Sequence, residues 1–144
     1  MKTRFYILSL ILLLELGCTK DNNGGGPSIS IKSYTGAVYN NGNDFNAVLS
    51  YSQKGGSLSG DSLVIIRRRF NQSYNPNPRD TFSTRLPLTP SVNKAEFTAS
   101  LAWQDIEVGI NGENDTCDFR FVLIDQNNNH SDTAATGTVI IYQY

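Results

Sequence analysis

Apolar and polar residues alternate with a period of two along most of the chain after residue 28, and clusters of Gly, Asn, Asp, Ser and Pro interrupt the alternation roughly every ten residues. A period of two sends successive side chains to opposite faces of a pleated strand, so the pattern predicts strands that bury one face. We predict seven strands, near residues 29–31, 45–51, 63–70, 81–86, 97–101, 117–125 and 136–142. No stretch has the periodicity of a convincing amphipathic helix.

Two segments predict the centre of the sheet and its longest irregular connection. Residues 63–66 are apolar on both faces, which is typical of a strand with neighbours on both sides. Residues 75–78 are Asn-Pro-Asn-Pro, and each proline lacks an amide donor and disfavours helical backbone at the residue before it. We therefore expect a central third strand and, after it, a long loop.

Seven short strands joined by polar turns predict an antiparallel β-sandwich. The run 119–125, followed by three asparagines at 127–129 and Ser-Asp-Thr at 131–133, resembles the penultimate strand and last hairpin of bacterial immunoglobulin-like and fibronectin-type-III-like modules. The resemblance implies an all-β fold, an antiparallel immunoglobulin-like β-sandwich of about seven strands over residues 28–144. The sequence offers no cysteine pair to bridge the sheets, and Trp103 lies near the fifth predicted strand instead of the third. A jelly roll or a small open barrel is the alternative architecture.

The N-terminus is built like a bacterial signal peptide. Lys2 and Arg4 place positive charge before an apolar run over residues 5–14, and residues 16–18 (Leu-Gly-Cys) end the run with small residues before a cysteine. The run is well below the ~20 residues that a membrane-spanning helix needs, and no later stretch approaches that length. We predict that residues 1–17 are a signal peptide that is removed from the exported chain.

Cys18 lies where bacterial lipoprotein signals carry their acylated cysteine, and this resemblance implies lipidation of Cys18 and a membrane partner through the lipid anchor. Glu15 departs from that family, which has an aliphatic residue there, so an ordinary secretory signal cut slightly later is the alternative. Residues 19–21 (Thr-Lys-Asp) resemble the export signal of Bacteroidetes lipoproteins and imply a surface-exposed position on the cell outer membrane. The polar, glycine-rich residues 18–27 are expected to form a flexible tether.

Charge and cysteine content narrow the functional classes. Removal of residues 1–17 takes two of the 12 basic and one of the 13 acidic residues, so 10 basic and 12 acidic residues remain. A chain with two net negative charges does not favour a nucleic-acid partner. With Cys18 acylated, Cys117 has no disulfide partner, and its strand phase predicts a buried small hydrophobe rather than a nucleophile.

The candidate catalytic and metal-binding groups have simpler structural explanations, and we predict no catalytic residue, metal site or cofactor. His130 is the single histidine and is expected to be a loop residue. The segment 125–136 begins with oxygen ligands (Asp125, Asn127, Asn129) at the spacing of a calcium loop, but it lacks the glycine and the final glutamate of such loops, so an Asx-rich hairpin turn is predicted. Two carboxylate pairs are expected in solvent-facing turns rather than in a glycosidase site: Asp105 with Glu107, and Glu113 with Asp115.

Residues 67–69 (Arg-Arg-Arg) are the densest charge run. On a strand, Arg67 and Arg69 share one face and Arg68 takes the other, so we expect a solvated strand end whose arginines pair with nearby acids. The alternative is an anionic ligand, such as an acidic glycan or a lipopolysaccharide phosphate, that guanidinium groups hold.

Exposed aromatic residues and modification motifs complete the candidate sites. Tyr74 lies in the Asn/Pro-rich loop and Tyr39 lies beside two asparagines, where their rings are free to stack on sugars. The candidate ligand-binding residues are Tyr74, Tyr39 and Arg68.

Asp-Ser-Leu at 61–63 and Asp-Thr-Ala at 132–134 resemble the O-glycosylation acceptor of exported Bacteroidetes proteins, which implies modification of Ser62 and Thr133.

Two functions of different class follow from these features. The favoured one is a non-catalytic, lipid-anchored module that holds an unidentified protein or envelope partner at the cell surface. The rival is a glycan-binding surface lipoprotein that captures polysaccharide. Neither function is that of an enzyme.

Overall fold

The computed structural model describes residues 26–39, 43–54, 60–71, 80–86, 92–110 and 112–143. In this part of the chain nine strands and one short helix follow in the order β1 Ser28–Tyr34, β2 Ala37–Tyr39, β3 Phe45–Ser52, β4 Ser62–Arg69, β5 Thr81–Arg85, β6 Lys94–Leu101, α1 Trp103–Ile106, β7 Asp115–Ile124, β8 Ala134–Ala135 and β9 Val139–Tyr142. The seven predicted strands are confirmed as β1, β3, β4, β5, β6, β7 and β9. Segments of two to four residues, such as β8, β2 and α1, are too short to show a periodicity.

The strands form two sheets. One has the order β1-β3-β6, and the other has the order β2-β9-β7-β4-β5, with β8 paired to β7. All pairs are antiparallel except β2 with β9, which is parallel. The result is an open antiparallel immunoglobulin-like β-sandwich, as predicted, and the apolar residues 63–66 lie in β4 between β7 and β5.

The core lies between the two sheets and is filled by the alternate residues of β3 and β7. The fully buried members are Phe45, Ala47, Leu49 and Tyr51 of β3, and Cys117, Phe119, Phe121 and Leu123 of β7. Phe45 and Phe119 stack across the layers with their ring centroids 4.0 Å apart. Burying each phenylalanine stabilises the fold by about 1.5–3 kcal/mol, so this contact joins the sheets without a disulfide.

The strand register defines two ends of the sandwich. At the first end, β3 and β5 end and β4 and β6 begin, and residues 125–133 follow the end of β7. At the second end, β4 and β6 end and β3, β5 and β7 begin. Among the described residues, no helix has the length and apolar character that crossing a bilayer requires.

Candidate functional site

The arginine run lies at the second end, and β4 divides it as predicted. The side chain of Arg67 is 0% exposed and that of Arg69 is 7% exposed, whereas that of Arg68 is 53% exposed. The Nε atoms of Arg67 and Arg69 both donate to Oδ1 of Asp80, at 2.7 and 2.9 Å. Pairing with an acid is therefore confirmed, but a solvated strand end is wrong for Arg67 and Arg69, because both face the interior.

The remaining donors of the two inward arginines bind the backbone that follows α1. Arg67 donates through Nη1 to the carbonyl of Ile106 and through Nη2 to that of Val108, the latter at 3.1 Å. Arg69 donates to the carbonyls of Val108 and Gly109, both at 2.7 Å. Because these donors are occupied by protein acceptors, Arg67 and Arg69 do not form an open anion site. The cluster fastens the connection between α1 and β7 to the end of β4.

The predicted position of Asp115 in a solvent-facing turn is also wrong. It is the first residue of β7 and is 0% exposed, so it is not part of a solvent-facing turn. Its nearest ion-pair partner is Arg69, with Nε 3.8 Å from Oδ2. Burial raises the pKa of Asp115, and the charges of Arg69 and Arg67 oppose that rise. Burial likewise lowers the pKa of Arg67, although Asp80 counteracts it.

Cys117 and Asp125 have the structural roles predicted for them. Burial raises the pKa of the Cys117 thiol to about 12, which leaves it protonated at neutral pH. Oδ1 of Asp125 accepts the backbone N–H groups of Asn127 and Asn129, at 2.9 and 2.8 Å, so the Asx-rich turn is confirmed. Oδ2 accepts the amides of Asn129 and Gln53, at 2.8 and 3.2 Å. Burial opposes these hydrogen bonds, but together they lower the pKa of Asp125.

The described residues contain no group of His, Cys, Asp and Glu that could hold a metal ion. His130 is exposed and pairs with Ile124 in an isolated β-bridge. Glu107 is exposed and accepts the indole N–H of Trp103 at 2.8 Å, while Glu113 is exposed as predicted. These polar groups therefore contribute to turns and packing.

Tyr39 borders a polar groove at the edge of the larger sheet. Its side chain is 40% exposed and lies parallel to the ring of Tyr142, with centroids 4.8 Å apart and planes 4° apart. The groove has a volume of about 460 Å³ and is lined by Thr35, Ala37, Tyr39, Asn43, Asp44 and Asn46. An exposed ring beside hydroxyl, amide and carboxylate groups can offer a sugar both stacking and hydrogen bonds.

The other ligand-binding candidates do not join Tyr39. Arg68 lies on β4, which β7 and β9 separate from the β2 strand that carries Tyr39. The Nη2 atom of Arg68 is 2.6 Å from Oδ2 of Asp118, and its guanidinium lies 5.0 Å from the centroid of the Phe70 ring. Tyr74 and the lipidation candidate Cys18 lie outside the described residues.

The two O-glycosylation candidates differ in accessibility. Ser62 is half-buried at the start of β4, where it pairs with Arg85 and Ile124. Thr133 is exposed in the connection before β8. Access by a modifying enzyme therefore favours Thr133 over Ser62.

Two adjoining grooves, which we call the flank grooves, lie between β5 and β6, and sequence reasoning missed them. One has a volume of about 400 Å³ and the other about 240 Å³, and they share Ile65, Thr84 and Ser100. Asp105 is the one acidic residue in their linings, and Arg85 is the one basic residue. The walls come from β4 and β5 of the larger sheet and from β6 of the smaller sheet, so they depend on how the two sheets pack and a local pattern could not predict them.

No family model and no curated protein matches the chain. Among solved structures, the chain is similar to the crystal structure of the apo form of the Calx CBD1 domain, with a TM-score of 0.41 and 13% sequence identity. The alignment covers 81% of this chain and 96% of that chain. The fold assignment rests on the strand order and register described above.

Proposed function

We propose that the protein is a non-catalytic binding module that a lipid on Cys18 anchors to the outer face of the cell outer membrane. The flank grooves are the observation that carries the binding part of the proposal. Their floor is apolar, with Ile65 and Leu101 in the larger groove, and Asp105 is the one titratable side chain in that groove. Glycoside hydrolysis ordinarily uses a pair of carboxyl groups, and this groove has one.

The anchor is tested by intact mass measurement on protein extracted from the membrane fraction. A chain that begins at Cys18 and carries the added mass of diacylglycerol and a further acyl group supports the proposal. A mature chain that begins beyond Cys18, or one recovered from the culture medium without acyl mass, contradicts it. Cys18→Ser provides the matched control, because it removes the thiol that receives the lipid and keeps a similar size.

The glycan-binding alternative has its own supporting observation, which is the groove beside Tyr39. If sugar stacking operates there, Tyr39→Ala abolishes binding on a glycan array, whereas Tyr39→Phe retains most of it because the ring remains. Loss of binding in Tyr74→Ala would add the Asn/Pro-rich loop to that site. A protein partner captured without any glycan signal would favour the first proposal over this one.

A further inference from the structure

The strand register shows which backbone groups of β5 are free. Arg67 donates its N–H to the carbonyl of Asp80 at 2.7 Å, and Leu86 donates to the carbonyl of Asp61 at 2.8 Å, so both are hydrogen-bonded pairs of the β4–β5 ladder. Along an antiparallel ladder, hydrogen-bonded pairs alternate with non-hydrogen-bonded pairs. Thr81, Ser83 and Arg85 belong to the non-hydrogen-bonded pairs, so their N–H and C=O groups point away from β4.

Those groups form the edge of the larger sheet that no described strand pairs with. Within the described part of the chain, no other hydrogen bond involves the main chain of Thr81 or Ser83, and the carbonyl of Arg85 accepts a single long bond of 3.5 Å from the Thr84 hydroxyl. Free edge groups at a spacing of two are the pattern that an added strand satisfies.

The flank grooves lie beside this edge and extend the core. Phe82 and Thr84 pair with Ile65 and Leu63, whose side chains are buried, so the inner face of β5 continues the hydrophobic floor. A strand added antiparallel to β5 would send alternate side chains onto that floor, opposite Phe82 and Thr84. These two inward positions would take apolar residues.

The positive charge of Arg85 indicates which type of residue would begin an added strand. Arg85 lies at the end of β5, lines the smaller groove and has no ion pair with any described residue. In an antiparallel pair, the first residue of an added strand lies opposite Arg85, on the face that points away from the core. An acidic side chain there would complement the guanidinium of Arg85.

We infer that β5 binds an extended peptide segment of a partner protein by strand addition, with an acid at the first position and apolar residues at the second and fourth. This inference rests on the proposed binding function and names its ligand class. The segment completes the open edge of the larger sheet and covers the flank grooves.

The test uses the full chain labelled with ¹⁵N and the synthetic peptide acetyl-Glu-Val-Thr-Val-Thr-amide. Titration followed by NMR is expected to shift the amide signals of Thr81, Ser83 and Arg85 and to slow their hydrogen exchange. Ser83→Pro removes an outward N–H while leaving the bonds to β4 intact, and it is expected to weaken binding at least about fivefold. Absence of any shift at millimolar peptide would overturn the inference.

Glu96→Pro is the matched control on β6, an edge strand of the smaller sheet. The bond from the Gln53 N–H to the carbonyl of Asn93 sets the alternation of the β3–β6 ladder, so the N–H of Glu96 also points outward, and Glu96 lines neither flank groove. Glu96→Pro should leave binding unchanged. Loss of binding in Glu96→Pro with retention in Ser83→Pro would place the ligand on β6 and overturn the inference.

A charge exchange provides a test that does not depend on a proline being tolerated. Arg85→Glu, at an exposed position, should weaken the acidic peptide about fivefold and strengthen acetyl-Lys-Val-Thr-Val-Thr-amide by a similar factor. An unchanged preference between the two peptides would contradict a register that places their first residue opposite Arg85.

Self-association that Ser83→Pro abolishes would identify a second copy as the occupant and overturn a peptide partner. Partner capture that neither variant affects would overturn strand addition but leave the binding module in place.

Discussion

At the scale of single residues, strand phase decides which side chains enter the core, whatever their polarity. Asp115 shares the inward phase of Cys117, and Arg67 shares that of Leu63 and Ile65, so each lies inside. Strand phase therefore correctly predicted that Cys117 is buried. The same phase indicates burial of Asp115 and Arg67, but a charged side chain is expected to be exposed unless it has a partner. Their partners come from segments distant in sequence, so the sequence pattern did not reveal them.

The Cys117 thiol makes the fold sensitive to alkali. Its pKa is raised from 9.0 to about 12, so as pH rises above about 9 the unfolded chain loses this proton first and the folded state loses stability. The free energy of unfolding should fall by up to about 1.4 kcal/mol per pH unit in this range. Urea unfolding at pH 8 and pH 10 should show a smaller decrease for Cys117→Ala than for the unaltered chain. Equal decreases would contradict the role of Cys117, since Tyr51, whose pKa is also raised, titrates from 10.0 upward.

Asp125 is expected to stabilise the turn before β8 through the four donors that its carboxylate accepts. Asp125→Ala should reduce the free energy of unfolding by about 1.5–3 kcal/mol at pH 7. Because the pKa of Asp125 is lowered, its contribution is present above the ordinary pKa of about 3.9 and is lost as pH falls through the lower folded value. The difference between variant and parent should therefore shrink by pH 2.5. Asp132→Ala, at an exposed residue of the same turn, is the control and should change stability by less than about 0.5 kcal/mol.

At the scale of elements, the inward arginines join structures that are distant in sequence. They connect the end of β4 to Asp80 before β5 and to the backbone between α1 and β7. The sequence predicted β4, β5 and β7 from alternation, but it could not predict this junction. A connection without periodicity contains no signal of which side chain its carbonyls will accept.

Arg67 and Arg68 offer a matched comparison of a buried and an exposed arginine. Arg67→Ala should lower the free energy of unfolding by about 3–5 kcal/mol, because it removes one partner of a buried ion pair and leaves the carbonyls of Ile106 and Val108 without that donor. Arg68→Ala should cost less, about 1–2 kcal/mol, because Arg68 is exposed and its buried partner Asp118 keeps a second cation, Arg120, with Nε 3.5 Å from Oδ1. Urea unfolding monitored by Trp103 fluorescence measures both. Similar losses for the two variants would show that the junction does not depend on Arg67.

At the scale of the whole molecule, the regular part of the fold could be predicted and the surfaces only in part. Seven of the nine described strands, the central position of β4 and the sandwich architecture follow from alternation and turn spacing, whereas β2 and β8 were too short to be predicted. Tyr39 was identified from the two asparagines beside it, and the structure places it at the end of β2. Thr35 and Asn46 join its groove only through the packing of segments that are separate in sequence. The flank grooves depend on strand order, which one sequence does not encode locally. The lipid anchor at Cys18 stays a prediction.

The parallel pairing of β2 with β9 has a mechanical consequence. Among the described strands, β2 follows the first and β9 is the last, and the two run in the same direction over the pairs from Ala37 with Ile140 to Tyr39 with Tyr142. A force that drew the two termini apart would slide these strands along each other, so their hydrogen bonds would have to rupture together instead of opening one after another.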